Sequence, residues 1–156
     1  YAPVGETSEE LWDRVMDINL KGVFLLTKAA LPALMDGDEE GVVINTASIA
    51  GKVAGGGGAA YTSSKHGVIG FTKQLSTDYG PEIRTNAVCP GFIETGMTED
   101  MIEQTPDEVH EIVQETPAER YAEPEEVAQV VAFIASDNAS FMHGTAVDVD
   151  GGWLVD

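Results

Sequence analysis

Tyr61 and Lys65 stand four residues apart in "AAYTSSKHG", just after the four glycines Gly55 to Gly58. At helical spacing the two side chains project from one face. An unperturbed tyrosine has a pKa near ~10 and is a poor base at neutral pH. An ammonium one turn away favours the phenolate and lowers that value. A tyrosine tuned in this way can give a proton to an alcohol or carbonyl oxygen, or take one from it. Ser48 precedes Tyr61 in the chain and closes a β-branched run, so its hydroxyl could hold the same oxygen. The competing reading is that Tyr61 packs and Lys65 is solvated. The spacing alone recurs by chance, so the surrounding elements must decide.

Those elements alternate. "TSEE", Thr7 to Glu10, is a capping box before a helix carrying Leu11, Val15 and Ile18. A second helix runs from about Leu20 to Met35; it is apolar nearly all round and is expected to be buried on several sides. "GVVINTAS", 41–48, has no clean alternation and resembles a buried parallel strand. A helix from about Ala60 to Tyr79 follows, where Gly67 and Gly70 permit close approach of a neighbour. "IRTNAVCP", 83–90, is a second strand, stopped by Pro90. Residues 98–117 suggest one or two short acidic helices over a loop. Glu123 and Pro124 start a helix with Val127, Val130, Val131 and Ile134 on one face. "TAVDVDGG", 145–152, is a last short strand ending in a turn. The order implies an α/β fold of parallel strands with right-handed crossovers. Such sheets bind ligands beyond the carboxyl ends of their strands, where Ser48 and Pro90-Gly91 lie.

Bulk properties narrow the function. One domain is expected from 156 residues. Twenty-seven acids against eight bases give a net charge of −19, which repels nucleic acid and anionic lipid. The acids are spread along the chain. An acidic patch for a basic partner is one reading; a solvated surface of the halophilic, haloarchaeal-like kind is favoured. The apolar stretch Val23 to Met35 is broken by Thr27, Lys28 and Pro32 and is too short for a membrane span. No charged-then-apolar run opens the chain, so a leader is not expected. A single cysteine, Cys89, excludes an internal disulfide and suits a reducing cytoplasm; it reads as a small core residue. His66, His110 and His143 have no ligand spacing, so no metal site is proposed. The glycine run follows Ala54 rather than a strand and reads as a pocket-edge loop, not a phosphate cradle.

The chain resembles the short-chain dehydrogenase/reductase family in its classical branch. The resemblance is carried by "DINLKGVF" (17–24), "VVINTASIAG" (42–51), "AAYTSSKHGVIGFTK" (59–73), "RTNAVCPGFIETGM" (84–97) and "AEPEEVAQVVAFIASDNASFMHGTAVDVDGG" (122–152). It implies a partial Rossmann-type doubly wound parallel sheet of about three strands with flanking helices. It implies that Asn19 holds a water linking the lysine to a proton relay, and that Ser48 polarises the substrate carbonyl. Tyr61 would be the acid/base. Lys65 would tune it and hold the nicotinamide ribose of NAD or NADP. Pro90, Gly91, Ile93 and Thr95 would cover the nicotinamide end, and 96–118 would be a variable lid. Taken singly, Asn19 could be a helix-kink residue, Ser48 a strand cap and Pro90-Gly91 an ordinary turn. A small-molecule alcohol/carbonyl substrate and a homo-oligomer, dimer or tetramer, are also implied.

The family's opening strand, its glycine-rich turn and its N-N-A-G strand end are not in this sequence. Residues 1–156 are therefore expected to be the C-terminal catalytic portion of a longer dehydrogenase domain. The strand at 41–48 would then be a bare edge, and helices facing the other half would show apolar surface. The alternative is a catalytically inactive remnant or assembly module that cannot bind cofactor alone.

Overall fold

A computed structural model describes residues 2–37, 40–96, 98, 99, 103 and 105–155. Its helices are α1 (Glu9–Met16), α2 (Gly22–Met35), α3 (Gly58–Tyr79), α4 (Pro106–Gln114) and α5 (Pro124–Ala135). Its strands are β1 (Gly41–Thr46), β2 (Ile83–Pro90) and β3 (Ala146–Val149), in spatial order β1-β2-β3 and parallel throughout. Gly41 pairs with Ile83 and Thr46 with Val88; Ala87 pairs with Ala146 and Pro90 with Val149. All three strands thus end at one edge of the sheet.

β2 is the centre. Every residue from Ile83 to Cys89 is buried. Its side chains alternate between the two faces, as the pleat requires. Ala87 and Cys89 meet Val68 and Ile69 of α3, with Ala47 completing the cluster. Arg84 points to the opposite face. It is 1% exposed, pairs with Glu40, and donates to the carbonyls of Ile134, Ala135 and Ser136 at the end of α5. A guanidinium there satisfies carbonyls that a helix C-terminus leaves unpaired and complements its partial negative charge. Helices on both faces of a parallel sheet make the α/β fold expected from the element order.

The N-terminal helices depart from expectation. Ser8, not Thr7, caps α1: its Oγ accepts from the Leu11 amide at 3.1 Å, while Thr7 Oγ1 donates to the Pro3 carbonyl. With Ser8 in that role, the third helical residue is Leu11, so the box closes nowhere here. A reciprocal box forms instead at α5, between Glu123 and Glu126. The two expected helices are one continuous helix, Glu9–Met35, joined through a wide π-type turn at Asp17–Lys21. That turn breaks the 3.6-residue period just where Ile18 would rejoin the apolar face. Val15 is half-buried, but Ile18 is 63% exposed and Leu11 42%. By length and composition this 27-residue helix could cross a membrane, unlike the shorter run from Val23. In this fold it lies along α3, with Leu20 over Gly67, where a Cβ would sit 2.7 Å from Leu20 Cδ2. Gly70 has open space around it, so only Gly67 is used for close approach.

The expectation that α2 is buried on several sides is wrong for this structure. Only Thr27 is buried; Phe24, Leu25 and Leu26 are exposed, Leu26 at 75%. The helix is apolar all round, yet among the described residues only one side has a partner. β1 is likewise at the sheet edge, with Val42, Val43 and Ile44 half-buried. Of the acidic stretch at 98–117, the described part forms α4, which buries Val109 and Val113. Residues 97, 100–102 and 104, within the expected lid, lie outside the described residues.

Candidate active site

The site is assembled at the carboxyl ends of β1 and β2 by three pieces: α3, a tight turn after β1, and the π-type turn between α1 and α2. Each supplies one or two of the residues singled out above.

On α3, Lys65 reaches back along the helix and lies over Tyr61, with Nζ 5.6 Å from the ring centroid. The same Nζ donates to the Thr46 carbonyl at 3.0 Å, tying the helix to the last residue of β1. The shared face expected from their spacing is present. Burial pulls the Lys65 pKa below the usual lysine range, with Cys89 acting in the opposite direction. A desolvated ammonium is a stronger electrostatic partner than a hydrated one.

Ser48 lies two residues past β1, not at its last position. The ladder runs on to the Ala47 amide, which bonds the Val88 carbonyl at 2.8 Å, and the chain then bends into a short turn, Ile49–Gly51. Ser48 is buried, and its Oγ accepts from the Ala50 amide at 3.1 Å. That bond uses the acceptor side of the hydroxyl and leaves its proton to be given elsewhere. Gly51 presses this turn onto α3: a Cβ there would meet the Lys65 carbonyl oxygen at 2.7 Å. Lys52 then straps the turn to β3 by an ion pair with Asp148 at 2.5 Å and a bond to the Ala146 carbonyl at 2.8 Å.

Asn19 sits in the π-type turn, a feature often found at functional sites. Its Nδ2 donates to Ser64 Oγ at 3.2 Å, and Ser64 Oγ donates to the Tyr61 carbonyl at 2.7 Å. Asn19 is therefore both a residue of the helix irregularity and a polar contact to α3.

The second group of expected residues hangs from β2. The Gly91 amide bonds the Val149 carbonyl, and a Cβ on Gly91 would meet Asp150 Cα at 2.7 Å, so only glycine fits. Ile93 is buried and bridges to Ala122. Thr95 is exposed and bonded to Thr98 Oγ1, which in turn donates to the Ile93 carbonyl at 2.6 Å. Pro90 to Ile93 are fixed to the end of the sheet; Thr95 turns outward.

Two glycines of the run are used for packing. A Cβ on Gly57 would lie 2.3 Å from the Tyr61 ring, and one on Gly58 would lie 2.9 Å from the Ala2 carbonyl oxygen. Those glycines make room for the tyrosine and for the N-terminal segment. Cys89 is buried in the core, where burial pushes its thiol pKa up, with Lys52 the main opposing influence. Sequence reading missed Ser64, Lys52 and Asp148. Their partners are distant in sequence, and no periodicity marks a hydroxyl or an ion pair that the fold alone brings together.

The family model described as enoyl-(acyl carrier protein) reductase matches residues 1–154. The chain belongs to the short-chain dehydrogenase/reductase family. The (3R)-3-hydroxyacyl-CoA dehydrogenase of Rattus norvegicus is 47% identical over 146 residues, covering 93% of this chain and 55% of the relative. The ligand-free aldohexose dehydrogenase of Thermoplasma acidophilum superimposes with a TM-score of 0.94 at 35% identity, covering all of this chain and 64% of that one. A 4-hydroxyisoleucine dehydrogenase complexed with NADH gives 0.91 at 29% identity, covering 99% of this chain and 64% of that one. This short-chain dehydrogenase/reductase chain thus spans somewhat over half the length of the curated relative.

Proposed function

We propose that residues 1–156 are the C-terminal catalytic portion of an NAD- or NADP-dependent oxidoreductase acting on a small alcohol/carbonyl pair. The observation that carries this reading is the placement of Lys65 Nζ over the Tyr61 ring at the end of β1, beside the Ser48 turn. Ser48 donates its hydroxyl proton to the substrate carbonyl oxygen, and Tyr61 transfers its phenolic proton to that oxygen. The Lys65 ammonium stabilises the phenolate left behind, and Asn19 holds the water that resupplies the proton. The nicotinamide supplies the hydride when bound.

The residues present fit one end of such a cofactor. Lys65 Nζ spends one of its three N–H groups on Thr46, leaving donors for a ribose hydroxyl. Pro90, Gly91, Ile93 and Thr95 would cover the nicotinamide end. The pyrophosphate wants clustered backbone amides at a helix N-terminus; of the glycines leading into α3, Gly57 packs on Tyr61 and Gly58 on Ala2. The NADH held by the 4-hydroxyisoleucine dehydrogenase supports a nicotinamide in the whole protein. The half-bare β1 and the exposed face of α2 support a missing neighbouring half and assembly into a homo-oligomer. The net charge of −19 supports a halophilic surface, and the lone buried cysteine a cytoplasmic setting.

Replacing Tyr61 by Phe in the longer protein should cut turnover by about 10² to 10⁴, with NADH or NADPH titrating as in wild type. Near-normal turnover would reduce Tyr61 to a packing residue. The same open apolar faces favour a second reading, an inactive assembly module. That reading stands if the wild-type longer protein neither binds a nicotinamide cofactor nor turns over.

A further inference from the structure

Ser64 is fully buried, directly precedes Lys65, and belongs to none of the roles above. A buried hydroxyl costs stability unless both its donor and its acceptor sides are satisfied. Here both are. Its proton goes to the Tyr61 carbonyl at 2.7 Å, and its lone pair receives the Asn19 amide at 3.2 Å. Bonding to a carbonyl three residues back is ordinary for a helical serine. The bond from Asn19, forty-five residues away in sequence, is not. It comes from the one stretch where the helix widens, Asp17–Lys21, so a single oxygen joins that turn to the turn of α3 that carries Tyr61 and Lys65.

We infer that Ser64 is a positioning residue of the proton-supply route, holding the Asn19 side chain in the orientation that serves Lys65. The inference rests on the acid/base reading of Tyr61. An amide can flip end for end, exchanging its donor and acceptor groups. The Ser64 hydroxyl has already committed its proton to Tyr61, so it can only accept. It therefore takes the NH₂ end of Asn19 and leaves the carbonyl end for other partners. Without that oxygen nothing distinguishes the two orientations at this contact. Ser64 touches neither substrate nor cofactor in this arrangement; it acts through Asn19.

A double-mutant cycle on the longer protein tests this, with turnover, KM and the pH profile as readouts. Ser64→Ala should lower kcat by about tenfold, the rate equivalent of one neutral hydrogen bond, leave KM within about twofold, and shift the pH profile. Ser64→Thr, which keeps the hydroxyl, should retain the wild-type profile. The pair Ser64→Ala with Asn19→Ala should be no slower than Asn19→Ala alone, since residues acting as a unit are not additive. Multiplicative losses, or an unchanged profile in Ser64→Ala, would overturn the proposal. If Ser64→Ala fails to fold, the profile of Ser64→Thr decides: a shifted profile with the hydroxyl present overturns it. Tyr61→Phe is run alongside. Normal turnover in that variant sinks the acid/base reading itself, whereas loss there with multiplicative Ser64 and Asn19 effects sinks only the role of Ser64.

Discussion

β1 and β2 are adjacent strands with similar residues, and they live in different surroundings. β2 buries Ile83 through Cys89, including Arg84, Thr85 and Asn86. β1, though it is Gly41-Val-Val-Ile-Asn-Thr, leaves Val42, Val43 and Ile44 half-buried. The helices repeat the contrast. α3 carries polar residues on several sides and buries six positions, among them Ser64 and Thr72. α2 is far more apolar and buries only Thr27. Burial in this molecule is set by the number of neighbours an element has, not by its hydrophobicity. The closed side holds the candidate chemistry: Tyr61, Lys65 and Ser64 all sit on α3, and their supports come from the ends of β1 and the π-type turn.

The largest expected effect breaks this contrast directly. Ile83→Ala on β2 should destabilise the chain by about 2–5 kcal/mol, since its side chain is wholly buried. Ile44→Ala on β1 should cost less than half as much, because part of that side chain is already in water. Urea unfolding of the 156-residue chain measures both. If, as proposed, a longer protein lays a further strand against β1, the two losses should converge there. Equal losses in the chain alone would mean that β1 is covered by something else, such as a second copy.

How far the sequence reveals this contrast depends on the distance over which each signal acts. β2 was legible to the residue, because a β-branched run between a turn and Pro90-Gly91 is a local pattern. α3 was legible to within two residues, as were the shared face of Tyr61 and Lys65 and the close approach at Gly67. The face of α5 ending at Ile134 was legible too, with Val127, Val130 and Val131 half-buried beside it. The continuity of α1 and α2 was not, because a π-type turn has no composition of its own. Thr7 and Ser8 are both good caps, so the choice between them needed backbone geometry. Burial of α2 was misjudged, since apolar composition states what a helix would prefer and not what stands beside it. The supports of the site, Ser64 to Asn19 and Lys52 to Asp148, depend on contacts that only the fold creates.

Salt should act more weakly, and on both sides alike. The net charge of −19 repels itself, and the acids are spread over the chain. Raising KCl from dilute buffer to about 2 M shortens the screening length to a few ångströms, so the melting temperature should rise. Ile83→Ala and Ile44→Ala should rise with wild type in parallel, because screening touches surface charge and not these contacts. Circular dichroism melts read the shift. A melting temperature independent of KCl would remove the support for a halophilic surface.

The smallest effect compares two arginine–glutamate pairs. Arg84 is buried, binds three helix-end carbonyls and holds Glu40 at 2.9 Å. Arg120 lies at the surface and grips Glu126 with two N–H groups, at 2.8 and 2.7 Å, while Glu126 also accepts from the Glu123 amide. The Arg120 bond and then the backbone bond pull the Glu126 pKa down to about 2. A carboxylate whose folded pKa lies below its unfolded value stabilises the fold while ionised in both states. That contribution is present above the ordinary carboxylate range and is lost as pH falls toward about 2. Arg120 is exposed and Glu126 is partly so, so solvent and salt screen the pair and the gain is small. Glu126→Gln should therefore lower stability slightly at pH 7 and flatten the acid limb of the stability curve between about pH 5 and 2. Repeating the titration in high salt should shrink the difference further. An acid limb identical in Glu126→Gln and wild type at low salt would show that this exposed pair contributes nothing, leaving Arg84 as the arginine that matters to the fold.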